Sequence, residues 1–257
     1  MDTLVFSHMI LALGVVALAG LIHGGFGLGF PMVATPLLAL LTDVQTAILL
    51  TLAPNIAVNF YSMLRGGGWS ASLGRYWPVA MWMVLGTILG TLWLVSVDPN
   101  PFRLLLAATL VLYLVSDRFK ERNLWGWMRG PERITNAGVG LTAGALAGTV
   151  NVSAPLLVAY FLELRLAPLI LVQTINLCFL VGKSTQAVTF SVLGLLGPTL
   201  LLWSLPLAVM AMLGLLIGIA VRERVSVAVY RGWLRGFLWL MSGLLVVQFF
   251  MEAFGGD

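Results

Sequence analysis

The chain alternates long apolar runs with short polar connections, and two of those runs are broken by the same pattern. Apolar residues dominate 5–41, 44–63, 77–97 and 101–117 and, past a charged segment, 136–163, 166–196, 199–221 and 234–252. Most of these runs are near the ~20 residues a membrane-spanning helix requires. The first and fifth are interrupted, at residues 19–31 (AGLIHGGFGLGFP) and 143–155 (AGALAGTVNVSAP). A glycine weakens a helix by about 1 kcal/mol and a proline by about 3. In hydrocarbon such a break is tolerable only where protein or a water-filled cavity satisfies the freed backbone.

The two breaks are copies. At a constant spacing of 124 residues, Gly14, Val15, Ala19, Gly20, Gly24, Pro31, Leu38 and Leu40 recur as Gly138, Val139, Ala143, Gly144, Gly148, Pro155, Leu162 and Leu164. Further along, at a spacing of 128, Pro78, Ala80, Leu85, Gly86 and Gly90 recur as Pro206, Ala208, Leu213, Gly214 and Gly218. Each half therefore carries a GxxxG, which reads as a close helix–helix seam. Arg103 and Leu106 recur as Arg235 and Leu238. The expected organisation is a first transmembrane repeat over 1–117, a cytoplasmic linker over 118–135 and a second transmembrane repeat over 136–257. The fold class is an all-α polytopic membrane protein whose repeats each hold a broken-helix hairpin and three transmembrane helices.

Composition narrows the function classes. Apolar residues make up 60% and charged residues 9%, against about 25% charged in soluble domains, and the mean hydropathy is +1.01. The cations lie in short connections, as orientation signals do, which leaves no basic patch for nucleic acid. The one cysteine, Cys178, excludes an internal disulfide and a cysteine-pair metal site. Asp2 and His8 stand where a signal peptide would be positive, so the first apolar run is expected to be retained.

Arginine and lysine placement sets the topology. Arg65 and Arg75, the linker cations, Arg165 and the group Arg222, Arg224, Arg231 and Arg235 all fall on one side if that side is cytoplasmic. Both termini then lie outside, in the periplasm of a bacterial inner membrane, and only Arg103 breaks the rule. The first broken run starts and ends outside and the second starts and ends inside, so each is expected to be a hairpin, and the halves are inverted. Each hairpin arm is expected to have about 15 residues and to end partway through the membrane. A repeated break of this kind marks a transporter's binding site.

Candidate ligand groups gather at those breaks. Lys183 is deep in its run, out of reach of either interface for a snorkelling side chain, and a buried ammonium is costly without a partner. No Asp or Glu stands near the middle of any run, so a bound anion is its expected partner, with helix-end carbonyls as the alternative. Gln173, Asn176 and Lys183 share one helix face within about 80°, and Gln45, Asn55, Asn59 and Ser62 share another within about 100°. With a connection three residues shorter in the second half, Asn55 aligns with Asn176 and Ser62 with Lys183. Such stripes suit a substrate path or an interhelical hydrogen-bond seam equally. Pro31 and Pro155 suit first helical turns, whose free N–H groups and positive dipole ends attract anions. His23, Gly24 and Gly25 in the first break and Thr149, Asn151 and Ser153 in the second complete the candidate site.

The Gly-rich broken run with a following proline, its second copy, the asparagines of LAPNIAVNF and TINLCFLVGK, and the arginine opening each half's last run resemble the sulfite exporter TauE/SafE family. The second copy has TVNVS where the first has its glycines. The resemblance implies export of sulfur-containing anions, sulfite or an organosulfonate such as sulfoacetate, across a bacterial inner membrane. The expected partners are a small anion and the lipid bilayer, with no cofactor and no metal. A passive anion channel and a membrane assembly factor remain the alternatives. An enzyme is not expected, because no paired carboxylates, Ser/His/Asp set or metal-ligand cluster stands in the sequence.

Overall fold

The computed structural model describes residues 2–65, 69–121, 126–222 and 227–254; Arg122, Arg224 and Asp257, which bear on the topology argument, lie outside them. The described chain is helical. In the first half α1 (Asp2–Phe26) and α2 (Phe30–Leu41) form the broken run, followed by α3 (Val44–Arg65), α4 (Trp69–Ser96) and α5 (Pro101–Glu121). After a short 3-10 turn at Gly126–Arg129, the second half repeats the order as α6 (Glu132–Val150), α7 (Ala154–Glu163), α8 (Pro168–Val192), α9 (Pro198–Val221) and α10 (Val227–Phe254). Among the described residues, stretches of α1, α3, α4, α8, α9 and α10 are long and apolar enough to cross a membrane. The chain is thus an all-helical, multi-pass membrane protein.

Packing pairs recur under exchange of the halves. Helix α1 lies along α9 as α6 lies along α4, α3 packs on α9 as α8 packs on α4, and α2 meets α10 as α7 meets α5. The pairs α3–α8 and α5–α10 map onto themselves. Glycines make the α1–α9 and α4–α6 seams. A Cβ on Gly20 or Gly24 would stand 2.1 Å from the carbonyl oxygen of Ala211 or Leu215. On the facing side, a Cβ on Gly214 or Gly218 would stand 2.1 or 2.0 Å from the oxygen of Ala17 or Leu21. In the other seam a Cβ on Gly86 or Gly90 would stand 2.1 or 2.4 Å from the Leu141 or Ala145 carbonyl oxygen, and one on Gly144 or Gly148 2.4 or 2.6 Å from that of Met83 or Thr87. Backbone lies on backbone, as small residues four apart permit. Residue numbers rise together along both seams, so each pair of helices runs in one direction.

The hairpins differ from the two equal arms that the sequence suggests. Their ingoing arms are long, 25 and 19 residues, and their returning arms short, 12 and 10. The cause is where the backbone can reverse. Gly27 and Gly29 take φ of 78° and 112°, and Asn151, 124 residues after Gly27, takes 61°. These are left-handed conformations that glycine adopts freely and asparagine tolerates, and they fall late in each broken run. Pro31 and Pro155 stand in the first turns of α2 and α7, where a missing N–H leaves no bond unmade.

Arg103, the exception to the cation rule, is 3% exposed. It pairs with Glu252 of α10, donates through Nη2 to the Thr42 carbonyl at 2.9 Å and through Nη1 to Asn100 Oδ1 at 3.0 Å. A neutralised guanidinium holding the end of α2 carries a structural duty, and its site follows that duty instead of the topology signal.

Candidate functional site

Each hairpin tip is held by an asparagine from the other half. Asn176 of α8 donates to the Gly27 carbonyl at 2.8 Å. Asn55 of α3, its aligned counterpart, donates to Asn151 Oδ1 at 3.3 Å. The tips are thus anchored on the central pair α3–α8, one toward the Pro168 end of α8 and the other midway along α3.

Beside the first tip is a cavity of about 500 Å³. It is bounded by the end of α1 (His23, Gly24), Gly27, the end of α3 (Ser62, Arg65), the start of α8 (Leu169, Val172, Gln173) and the end of α9 (Ile219, Arg222). Each polar side chain of the lining can donate or carries positive charge, and no described lining residue is acidic. His23 is fully buried and its Nε2 lies 3.0 Å from Ser62 Oγ, while Nδ1 has no partner among the described residues. The close α1–α9 seam brings His23 and Arg222 to one place, because Gly24 lets α1 lie against Leu215. Two guanidinium groups, an imidazole, a hydroxyl and a carboxamide at one end of the bundle make a site for a small anion with hydrogen-bonding oxygens.

The remaining sequence candidates form two other groups. Asn151 donates to Thr35 Oγ1 at 2.7 Å and Thr51 Oγ1 at 3.2 Å, and Asn59 donates to the Asn55 carbonyl at 2.7 Å. All five are buried, and they tie α2, α3 and the second tip together. Thr149 donates to the Ala145 carbonyl at 2.7 Å, and Ser153 caps α7 without a side-chain bond. Gly25 faces the Gly218 carbonyl across the seam.

Lys183 stands apart from the cavity. It is nearer the Val192 end of α8 than the Pro168 end, where the cavity lies. Its ammonium donates to Gln186 Oε1 and, at 3.4 Å, to the Ala147 carbonyl, while Gln186 donates to the Gly148 carbonyl at 2.9 Å. Lys183 and the cavity groups thus stand apart, Lys183 beside the helix that leads to the second tip. The structure brings His23, Gly24 and Gln173 together at the cavity, with Asn176 behind them on Gly27.

Arg65 and Arg222 are the cavity groups that sequence reasoning left out of the site, while Ser62 stood only in the polar stripe of α3. The two arginines read as orientation signals because they end apolar runs. A signal for Arg65 was present: extending the alignment of Asn55 with Asn176 and Ser62 with Lys183 by one turn pairs Arg65 with Gln186.

Among the described residues no three His, Cys, Asp or Glu side chains converge as metal ligands would. No curated protein and no solved structure matches the chain. The family described as Sulfite exporter TauE/SafE matches residues 12–245, nearly the whole length and both halves. With two anchored hairpins, a cation-lined cavity and that match, the chain belongs to the sulfite exporter TauE/SafE family of membrane transporters.

Proposed function

We propose that the chain exports a small sulfur-containing anion, sulfite or an organosulfonate such as sulfoacetate, and that the cavity beside the first tip is where the anion binds from the cytoplasm. The observation that carries this is the lining: Arg65, Arg222, His23, Ser62 and Gln173 around about 500 Å³, with no described carboxylate. Arginine suits the oxygens of a sulfonate or sulfite, to which it can offer two parallel N–H groups. Gln173 and Ser62 supply the neutral hydrogen bonds that orient it.

The exchange symmetry of the helix packing supports a reading in which the halves are inverted and the mechanism alternates. Read as neighbours that alternate in direction, α1 to α4 place α4 opposite to α1, and α6 runs with α4 along their seam; on that reading the second repeat starts in the direction opposite to the first. On this reading the arginine-bearing ends of α3 and α9 face the cytoplasm of a bacterial cell, both termini lie outside, and the cavity is the inward-facing state. A potential negative inside favours anion exit by about 2.3 kcal/mol per charge per 100 mV, so export needs no coupling ion.

The same reading assigns the moving bodies by the close seams. Helix α1 is locked to α9 and α6 to α4, so each rigid body contains helices from both halves. In proteoliposomes, sulfite efflux should rise with an imposed potential, and Arg65→Gln should lower it at least tenfold. Channel-sized currents, or efflux that follows a proton gradient and ignores potential, would overturn this mechanism.

A further inference from the structure

The repeat places a counterpart of the cavity at the opposite face, and that counterpart is filled. By the aligned spacings, His23 corresponds to Ala147, Gly24 to Gly148, Ser62 to Lys183 and Arg65 to Gln186. The contacts correspond as well. His23 meets Ser62 at 3.0 Å in the first half, and Ala147 accepts from Lys183 at 3.4 Å in the second. Where Gly24 and Arg65 border open space, Gly148 accepts from Gln186 at 2.9 Å. Side chains of one half occupy the volume that is empty in the other.

The filled region is more polar than packing requires. The main chain of α4 at Thr87 and Thr91 lies against Gly148, and Thr87 Oγ1 lies close to Gly182 on α8. Both threonines are fully buried and their hydroxyls have no partner among the described residues. At the same positions of α9 stand Leu215 and Ile219. An uncompensated hydroxyl in a buried site costs free energy, and a threonine in a helix has a partner at hand in the carbonyl a turn earlier, which these two do not use. Among the described residues the Lys183 side chain meets only neutral acceptors, Gln186 Oε1 and the Ala147 carbonyl.

We infer that Lys183, Gln186, Thr87 and Thr91 are the anion-binding groups of a second chamber, closed in this structure, that opens to the face opposite the cavity. Closed, the ammonium rests on the Ala147 carbonyl and Gln186 on that of Gly148. Open, Lys183 turns to the anion, Gln186 and the two hydroxyls hydrogen-bond its oxygens, and the His23 side closes. This rests on reading the cavity as the substrate site and adds that each face has its own cation: arginine inside, lysine outside.

The test uses the full chain with Cys178→Ser, which removes the one native cysteine. Leu169→Cys reports on the cavity and Thr91→Cys on the second chamber, each in right-side-out and inside-out vesicles treated with a membrane-impermeant maleimide, with and without sulfoacetate. The expected result is labelling of the two positions from opposite faces, with sulfoacetate changing the Thr91→Cys rate at least threefold. In parallel, Lys183→Gln should lower sulfoacetate efflux at least tenfold while calorimetric binding in detergent stays within threefold of wild type, and Lys183→Arg should restore part of the efflux. A Thr91→Cys that never labels, or labels from the same face as Leu169→Cys, overturns the second chamber, as does a Lys183→Gln protein that transports normally. Arg65→Gln separates the two readings. If it weakens binding while Thr91→Cys stays silent, only the second chamber fails; if it leaves binding unchanged, the cavity reading itself fails.

Discussion

The helix seams and the hairpin tips are both repeated, but the repeat means different things in each. The seams are the same structure twice: glycine against main-chain carbonyl, α1 on α9 and α6 on α4. The tips share only a backbone turn. Gly27 offers its carbonyl and leaves room for a cavity, whereas Asn151, in the same left-handed conformation, fills its surroundings with a side chain bonded to Thr35, Thr51 and Asn55. What is duplicated for architecture stays symmetric, and what borders the cavity is free to diverge. A second contrast guards against treating every repeated glycine alike. Gly14 and Gly138 recur at the same spacing, yet a Cβ on either would meet nothing within 4 Å.

The largest effect should come from breaking a seam. Gly24→Leu or Gly144→Leu would drive a side chain into main-chain atoms of the neighbouring helix that cannot give way locally, so the expected outcome is loss of the monodisperse peak on size-exclusion chromatography in detergent. Gly14→Leu and Gly138→Leu should leave that peak intact. Equal behaviour of the two sets would mean that the close approach of the seams does not hold the fold together.

Next in size is the loss of a cavity cation. Hydrogen bonds to charged groups contribute about 1.5–3 kcal/mol, and every 1.4 kcal/mol is about tenfold in affinity. Arg65→Gln should therefore weaken sulfite binding about ten- to a hundredfold with the thermal midpoint little changed, because Arg65 stands at the exposed end of α3. Titration calorimetry and a melting curve on the same preparation check both halves of the statement.

Exchanging the tip residues separates architecture from ligand directly. Asn151→Gly keeps the turn but removes hydrogen bonds to three side chains; buried hydrogen bonds within membrane bundles average about 0.6 kcal/mol, so a loss of about 2 kcal/mol in stability is expected, with anion binding within threefold of wild type. Gly27→Asn should do the reverse. Asparagine tolerates the φ of 78°, but a Cβ there stands 2.7 Å from Val172 Cγ1 beside the cavity, so binding should fall several-fold while stability changes less than in Asn151→Gly. Denaturation curves with matched binding isotherms distinguish the two, and a single pattern for both variants would erase the contrast between the tips.

Much of the fold was legible because it is written in local chemistry: apolar runs, prolines at first turns and glycines four apart each have one dominant physical consequence in a bilayer. The uneven hairpin arms were not, since glycines run from Gly24 through Gly29 and only the backbone shows that Gly27 and Gly29 take the turn. At the site, His23 and Gln173 stood out as polar residues in apolar surroundings. Arg65 and Arg222 did not, because a cation at a helix end satisfies the topology rule and needs no further reason to be there. Lys183 was visible as a buried charge, but its depth depended on where α8 ends, at Val192 and not beyond, and its neutral partners come from α6 and its own helix, which periodicity along α8 cannot reveal.

The smallest effect expected bears on what holds α4 to α6. Arg75 and Glu132 pair across that seam at 3.6 Å with side chains 68% and 51% exposed. An exposed pair of this kind is worth about 0–1 kcal/mol, because water screens it and two long side chains must be held in place. Arg75→Gln should leave the thermal midpoint within measurement error of wild type at physiological salt. Raising the salt concentration should likewise leave the wild-type midpoint unmoved, since the contact between Gly86 or Gly144 and the opposite main chain has no charge to screen. A clear drop in either measurement would assign part of the seam's strength to ions at its end and would make α4–α6 a different kind of joint from α1–α9.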